Sequence, residues 1–367
     1  MMPAATVDAE GLLAGPPFAL RDADKHAVLL PALDALTRRH YALCEPYRRV
    51  VDAAFGGLQR EPYASLVDLP FVPVSLFKRH ELRSVPADDV FRVLTSSGTT
   101  GQAASRVYLD RETATLQAKA LVRIMQHFIG KERYPMVILD HEDVVRDRAS
   151  FSARGAGILG LMQFGRLPIY ALRPDMSFDL EKVRAYLAAH AGKPVLFFGF
   201  TFIAWQHAIA ALDASGLSLS PHGGVLIHSG GWKRMEASRV GAGEFRTRAQ
   251  ATLGVERVIN FYGMVEQVGS VFFENALGDL HAPVFADVIV RDPFTLRPLG
   301  PGRRGLLQVV SMLPHSYPGH SLLTEDLGEW RGVDDDAAGM PGRFFRVHGR
   351  APHSDIRGCS DTYAPPA

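Results

Sequence analysis

Residues 95–102 read TSSGTTGQ and follow directly on the strand-like FRVL of residues 91–94. Hydroxyl side chains and two glycines fill all but the last of these positions. Such a run gathers backbone N–H groups and hydroxyl donors on one pliable turn, which is what enclosing phosphate oxygens requires. It is not a Walker A loop, because no Gly-Lys-Ser/Thr follows.

Downstream of this loop the chain alternates. A helical pattern over Glu112–Ile129 leads to MVILD (Met136–Asp140), a Gly-rich helical stretch and LPIYAL (Leu167–Leu172). A helix over Asp179–Ala191 then precedes VLFFGF (Val195–Phe200), a further helix and GVLIHSGG (Gly224–Gly231). Short apolar runs separated by helical periods predict an α/β fold with a mostly parallel sheet covered by helices. Ligands of such sheets bind outside the carboxyl ends of the strands. After Tyr262 the texture changes: VFADVIV (Val284–Val290), LLQVVSM (Leu306–Met312) and RFFRVHG (Arg343–Gly349) stand between Pro/Gly-rich turns and predict a β-rich subdomain.

Upstream, Leu33, Leu36, Leu43, Tyr47, Val50, Val51 and Phe55 recur at helical spacing, interrupted by Pro46, with Cys44 on the stripe as a small core hydrophobe. The expected organisation is a helical region (1–90), an α/β core with the phosphate loop (91–262), a β-rich subdomain completing the nucleotide site (263–350) and a mobile tail (351–367).

With 367 residues, 47% hydrophobic and 22% charged, the chain can bury a sizeable core. Forty basic against 39 acidic residues, with no basic stripe among aromatics, gives none of the electrostatic footprint of nucleic-acid binding. No uncharged apolar stretch approaches the ~20 residues of a membrane span, and no basic segment precedes an apolar one at the start, so a cytoplasmic protein is expected. Two distant cysteines make no disulfide framework, and no Cys-x-x-Cys or His-Glu-x-x-His spacing suggests zinc.

TSSGTTG resembles the phosphate loop of the adenylate-forming superfamily, which includes acyl-CoA and aryl-CoA ligases, peptide-synthetase adenylation domains and luciferases. Further stretches follow in that superfamily's order. HSGG (His228–Gly231) resembles the turn against which adenine lies, and NFYGMVEQ (Asn260–Gln267) the Tyr-Gly-x-Thr-Glu element, with Val265 in place of threonine. LLTEDLGEW (Leu322–Trp330) is similar to the Thr-Gly-Asp element, with Glu325 in place of glycine, and HGR (His348–Arg350) to the hinge. The resemblance implies that Ser96, Ser97, Gly98, Thr99, Thr100 and Gly101 hold the ATP phosphates, with Thr99 acting in catalysis. It also implies that Ser229, Gly230, Gly231, Tyr262 and Gly263 border the adenine, and that Glu266 binds Mg²⁺ and acts in catalysis. Asp326 would accept from the ribose hydroxyls, with Arg350 nearby. Phe198, Phe200, Phe202 and His228 are the candidates for lining an acyl pocket.

Members of the superfamily usually continue past the hinge into a small lid domain bearing a lysine, and this sequence ends soon after it. The LuxE-type acyl-protein synthetases are short in this way, and SRVYLDRET together with the C-terminal RGCSD resembles them. The resemblance implies activation of a fatty acid as acyl-AMP, acyl transfer to Cys359 and delivery to an acyl reductase partner. Without a lid lysine, either Lys233 or Arg106 would offset the phosphate charge. His141, Glu142 and Asp143 follow the MVILD strand, where they face the site or form a solvated turn. Two other readings stand beside this one: a stand-alone acyl- or aryl-CoA ligase similar to phenylacetate-CoA ligase, and a nucleotide-binding subunit without turnover. The absence of Gly-x-Ser-x-Gly disfavours a serine hydrolase.

Overall fold

A computed structural model describes residues 9–96, 104–146, 153–232 and 240–351. Ser97, Gly98, Thr99, Thr100, Gly101, Lys233 and Cys359 lie outside the described residues. Those described within Met1–Phe128 and Tyr262–Ser354 form one compact unit, and those within Ile129–Phe261 another.

The first unit opens with three helices, α1 (Ala9–Ala14), α2 (Asp22–Leu43) and α3 (Glu45–Phe55). The helical stripe therefore starts earlier than the sequence predicts and carries Pro31 inside α2. Pro46 does not break it. That residue sits in the first turn of α3, where its missing N–H has no partner to lose. The break is at Cys44, which is buried as predicted but in extended backbone between the helices. Next come β1 (Val72–Pro73) and the antiparallel pair β2 (Arg92–Thr95) and β3 (Arg106–Leu109), then α4 (Arg111–Ile129).

The second unit is built on five parallel strands, β4 (Tyr134–Ile138), β5 (Gly165–Tyr170), β6 (Pro194–Phe200), β7 (His222–Ser229) and β8 (Arg257–Tyr262, whose last residue belongs to the first unit). Their order is β5-β4-β6-β7-β8. Pro168 cannot donate to a ladder and sits in β5, paired on one side only. The connecting helices are α5 (Asp143–Arg146), α6 (Ala153–Met162), α7 (Leu180–Ala189), α8 (Thr201–Ala204), α9 (Ala210–Ala214) and α10 (Ala242–Leu253). A π-helical turn, Trp205–Ile209, joins α8 to α9. Asp179, predicted as the first residue of α7, is its N-cap and accepts from the Lys182 N–H. At the other end of this unit's helices, Gly254 closes α10 in the left-handed region, where a Cβ would lie 2.3 Å from the Leu219 carbonyl oxygen.

Side chains alternate across a strand, so the aromatic run of β6 is divided between faces. Phe197 joins Val137, Leu139, Leu226, Trp205, Phe245 and Leu253 in one core cluster. Phe198 and Phe200 take the opposite face, where the Phe200 ring meets the bare Cα of Gly157 on α6.

The first unit resumes with β9 (Phe272–Glu274), β10 (Leu280–His281), β11 (Ala286–Arg291), β12 (Gly305–Ser311), β13 (Ser321–Val333) and β14 (Arg343–Arg350). All pair antiparallel in the order β11-β12-β13-β14-β10-β9, and β1 adds to β13 in parallel. The β-rich texture after Tyr262 is thus as predicted.

Two buried polar groups bind α2 to these strands. Lys25 and Asp287, both fully buried, lie 3.5 Å apart, with His26 Nε2 2.9 Å from the same carboxylate. Burial alone would raise the Asp287 carboxyl, but the charges of Lys25 and Arg343 hold it well below its usual range. Further along, Thr37 donates to the Leu33 carbonyl and so accepts from His320 Nε2–H at 3.0 Å. His40 lies tilted against His320, with ring centroids 4.9 Å apart, between the Ser84 hydroxyl and the Pro314 carbonyl. Burial holds both imidazoles neutral, His320 down to about 3 and His40 well below its ordinary value.

The unfolded chain protonates these histidines near pH 6.5, and the folded chain refuses the proton. Their contribution is therefore intact above that pH and is lost below it, by up to ~1.4 kcal/mol per pH unit per histidine. Thermal unfolding followed from pH 7.5 to 5 should show a falling midpoint, with a shallower slope in His320→Gln. A flat profile in the parent would mean that the two rings accept protons in place.

Candidate functional site

In the first unit the chain brings Tyr262, Asp326 and Arg350 together. Tyr262 is the last residue of β8, and Asp326 and Arg350 face each other across the β13–β14 ladder. The Tyr262 hydroxyl donates to Asp326 Oδ2 at 2.7 Å, and the Tyr262 ring packs against Phe272 and Phe345. Arg350 Nε stands 3.8 Å from Asp326 Oδ1, and its guanidinium reaches Glu325 at 3.7 Å. Glu325, which departs from the usual glycine, thus has a partner of opposite charge. Its carbonyl also accepts from Ala351 N–H at 2.8 Å.

Burial raises the Asp326 carboxyl, while the Tyr262 hydroxyl and the Arg350 charge pull it back down. Burial, and then the adjacent Asp326 carboxylate, push the Tyr262 phenol well above its ordinary value. The phenol is therefore a fixed donor, and one carboxylate oxygen of Asp326 keeps accepting capacity.

Glu266 lies in a 3-10 turn, Val265–Gln267, and is 7% exposed. Burial raises its carboxyl, against the opposing pull of Ser105, Lys78 and Arg350. Gly263, on the approach to this turn, has no room for a side chain: a Cβ would come within 2.8 Å of Val271 Cγ1.

Ser96 serves the loop's neck. Its N–H donates to the Ser105 carbonyl at 3.1 Å, and its hydroxyl accepts from the Ser105 N–H at 2.9 Å. The bonds hold Ser96 and Ser105 side by side. Sequence reading missed Ser105, although its place just before β3 marks it as the closing partner of a loop. Arg106, the first residue of β3, pairs with Thr95 in the ladder.

The second unit holds the remaining candidates at the carboxyl ends of β6 and β7. The Ser229 hydroxyl donates to the Phe261 carbonyl at 2.8 Å. Gly230 turns the chain at φ 92°, with the Phe200 ring 3.5 Å from where its Cβ would be, and Gly231 is exposed. His228 is 6% exposed, within hydrogen-bond distance (2.9 Å) of the Thr201 hydroxyl and packed on Phe245, and burial lowers it to about 3. It is a neutral imidazole in the core. Phe198 and Phe200 are buried edge to face, and Phe202 is half-buried against His207. Also at this end, beyond β4, Asp140 and Arg154 form a buried ion pair at 3.2 Å that includes His141. The arginine escaped the sequence reading, although a lone cation in the otherwise apolar, Gly-rich ARGAGILG is the signal of a paired buried charge.

A groove of about 720 Å³ in the first unit, lined by Leu13, Phe91, Ala118 and Val122 among others, contains none of the predicted residues. Among the described residues no helix is long and apolar enough to cross a membrane.

Comparison with known proteins agrees with the resemblance drawn from the motifs. The family described as acyl-protein synthetase, LuxE, matches residues 3–365. The long-chain-fatty-acid–luciferin-component ligase of Vibrio harveyi is 24% identical over 336 residues, covering 88% of this chain and 83% of that protein. Its counterpart from Aliivibrio fischeri is 22% identical over 275 residues, covering 71% and 69%. A crystal structure of 2-hydroxyisobutyryl-CoA ligase, in complex with 2-HIB-AMP and CoA, matches with a TM-score of 0.66 at 19% identity, over 91% of this chain and 76% of that one. The α/β fold is that of the adenylate-forming ligases, as the motifs predict.

Replacing Tyr262 by Phe removes the hydroxyl that lowers the Asp326 carboxyl. In carboxyl-carbon NMR, Asp326 should therefore take up its proton at a higher pH in Tyr262→Phe than in the parent. An unchanged or lower titration would show that the hydroxyl does not donate to it.

Proposed function

We propose, from the premise that this chain belongs to the LuxE family of acyl-protein synthetases, that it activates a long-chain fatty acid with ATP and passes the acyl group through Cys359 to an acyl reductase. The chain is an AMP-forming acyl ligase. In the proposed reaction a carboxylate oxygen attacks the α-phosphorus of ATP and pyrophosphate leaves. The Cys359 thiolate then attacks the acyl carbonyl, a thioester forms and AMP leaves. The thioester keeps the acyl group activated for reduction.

The observation that carries the reading is the Tyr262–Asp326–Arg350 arrangement. A carboxylate held by one phenol donor, with its second oxygen turned to a guanidinium, can accept from a ribose diol without titrating away. The aromatic ring that fixes it offers its face to a purine. Catalysis of this kind consists mainly of positioning and of offsetting phosphate charge. The phosphate loop supplies the N–H groups, its neck closed by Ser96 and Ser105.

Glu266 suits a Mg²⁺ ligand. A buried carboxyl raised by its surroundings gains from an adjacent cation, and Mg²⁺ is commonly held by one or two carboxylates and the substrate's phosphates. When bound, Mg²⁺ would offset the charge on the leaving pyrophosphate. Cys44 is buried and its thiol raised by burial, so Cys359 is the cysteine available for acyl transfer.

The test is intact-protein mass spectrometry after incubation with Mg²⁺-ATP and hexadecanoate. The expected outcome is a hydroxylamine-labile mass increase on Cys359, absent in Cys359→Ser, which still releases pyrophosphate. Pyrophosphate release with no adduct on the parent would move the acceptor to coenzyme A and overturn the acyl-protein step.

A further inference from the structure

We propose that His141 donates a hydrogen bond from Nδ1 to the carboxyl group of the acid substrate, with Arg154 as the positioning residue that fixes the imidazole tautomer. The inference rests on the acid-activating reading above and names the residue that holds the reacting end of the acid.

The chain leaves β4 beside β6. Leu139 N–H donates to the Phe198 carbonyl at 2.7 Å, and the Asp140 carbonyl accepts from Leu172 N–H at 3.0 Å. Asp140 then turns its side chain back, one oxygen accepting the His141 N–H at 2.8 Å and the other facing Arg154 Nε at 3.2 Å. Asp140 is 1% exposed and Arg154 3%. The guanidinium also reaches His141, with NH2 3.1 Å from Nε2.

A guanidinium can only donate, so His141 Nε2 must carry the lone pair. The ring proton is then on Nδ1. That atom is buried and has no hydrogen-bond partner among the described residues, and a carboxylate oxygen of exposed Asp143 stands 3.7 Å away, beyond hydrogen-bond distance. A buried donor without an acceptor is uncommon and costly, and its presence calls for a missing partner. Here the donor is polarised by a cation on the far side of its own ring.

Three observations choose the partner. The donor stands at the carboxyl end of a parallel strand, where such sheets bind ligands. Asp140 offsets the Arg154 charge, so the cluster presents one oriented N–H and no surplus of positive charge, which suits a single carboxyl group better than a triphosphate. On the neighbouring strand Phe200 is buried under α6, whose Gly157 lies one turn from Arg154 and would place a Cβ 3.0 Å from the ring. An aromatic ring on the strand next to the one that carries the donor suits a molecule with an apolar chain and one anionic end.

Asparagine and glutamine separate the two ring nitrogens, because the asparagine amide nitrogen reproduces Nδ1 and that of glutamine Nε2. Pyrophosphate release with Mg²⁺-ATP and saturated acids from octanoate to hexadecanoate should give a KM for the acid about 10- to 100-fold higher in His141→Gln and His141→Phe. His141→Asn should stay near the parent, and the KM for ATP should be unchanged in all three. An unchanged KM for the acid in His141→Gln, or a rise in the KM for ATP instead, would overturn the proposal. Nitrogen-15 shifts of the histidine-labelled parent should show His141 protonated on Nδ1, and an Nε2–H tautomer would overturn the role given to Arg154. Absence of acid-dependent release by the parent would instead overturn the acid-activating reading, and the inference with it.

Discussion

The contact between Lys25 and Asp287 is the constraint on which the first unit depends. That unit is assembled from two pieces of chain separated by Ile129–Phe261, so no local propensity can hold α2 against β11 and β14. A fully buried ammonium and carboxylate, joined by His26 and Arg343, tolerate only one register. Such a pair adds little to stability compared with apolar packing, but removing one member costs about 3–5 kcal/mol, because the other charge is left buried and unmatched. The Asp22 N–H at the start of α2 adds a second tie by donating to Asp334 beyond β13. The strands so fixed are those that carry Asp326 and Arg350.

The same physics operates at the candidate site with smaller margins. Asp326 and Glu266 are both raised by burial and both pulled down by neighbours. Groups in that condition gain most from ligands that bring hydrogen or positive charge, as a ribose diol and a divalent cation do. His228 and His320 show the contrasting case: burial without a charged ligand leaves a neutral imidazole that serves packing. An AMP-forming ligase has little covalent work of its own in the first step, which leaves the arrangement of such groups as its main contribution.

Much of this was legible in the sequence because the signals are local. Alternation of short apolar runs with helical periods located β4, β5, β6 and β7 to within a few residues but not β8, and the order of motifs marked Tyr262, Glu266 and Asp326. What was not legible depends on partners far apart in the chain. Nothing near Lys25 announces Asp287, and Glu325 reads as a departure from a motif until its pairing with Arg350 is seen. The aromatic run of β6 reads as one patch, although strand geometry sends Phe197 into one core and Phe198 and Phe200 to the other face. The bond from Ser105 N–H to the Ser96 hydroxyl, between residues nine apart, is likewise invisible in the motif.

The central claim is that the chain joins a fatty acid to AMP by displacing pyrophosphate. It is tested most directly by exchange of labelled pyrophosphate into ATP, which requires reversible formation of the adenylate and no downstream acceptor. The account predicts exchange that depends on both a long-chain fatty acid and Mg²⁺, persists in Cys359→Ser and fails in Asp326→Ala. Exchange that is indifferent to added acid, or none with any chain length, would contradict it.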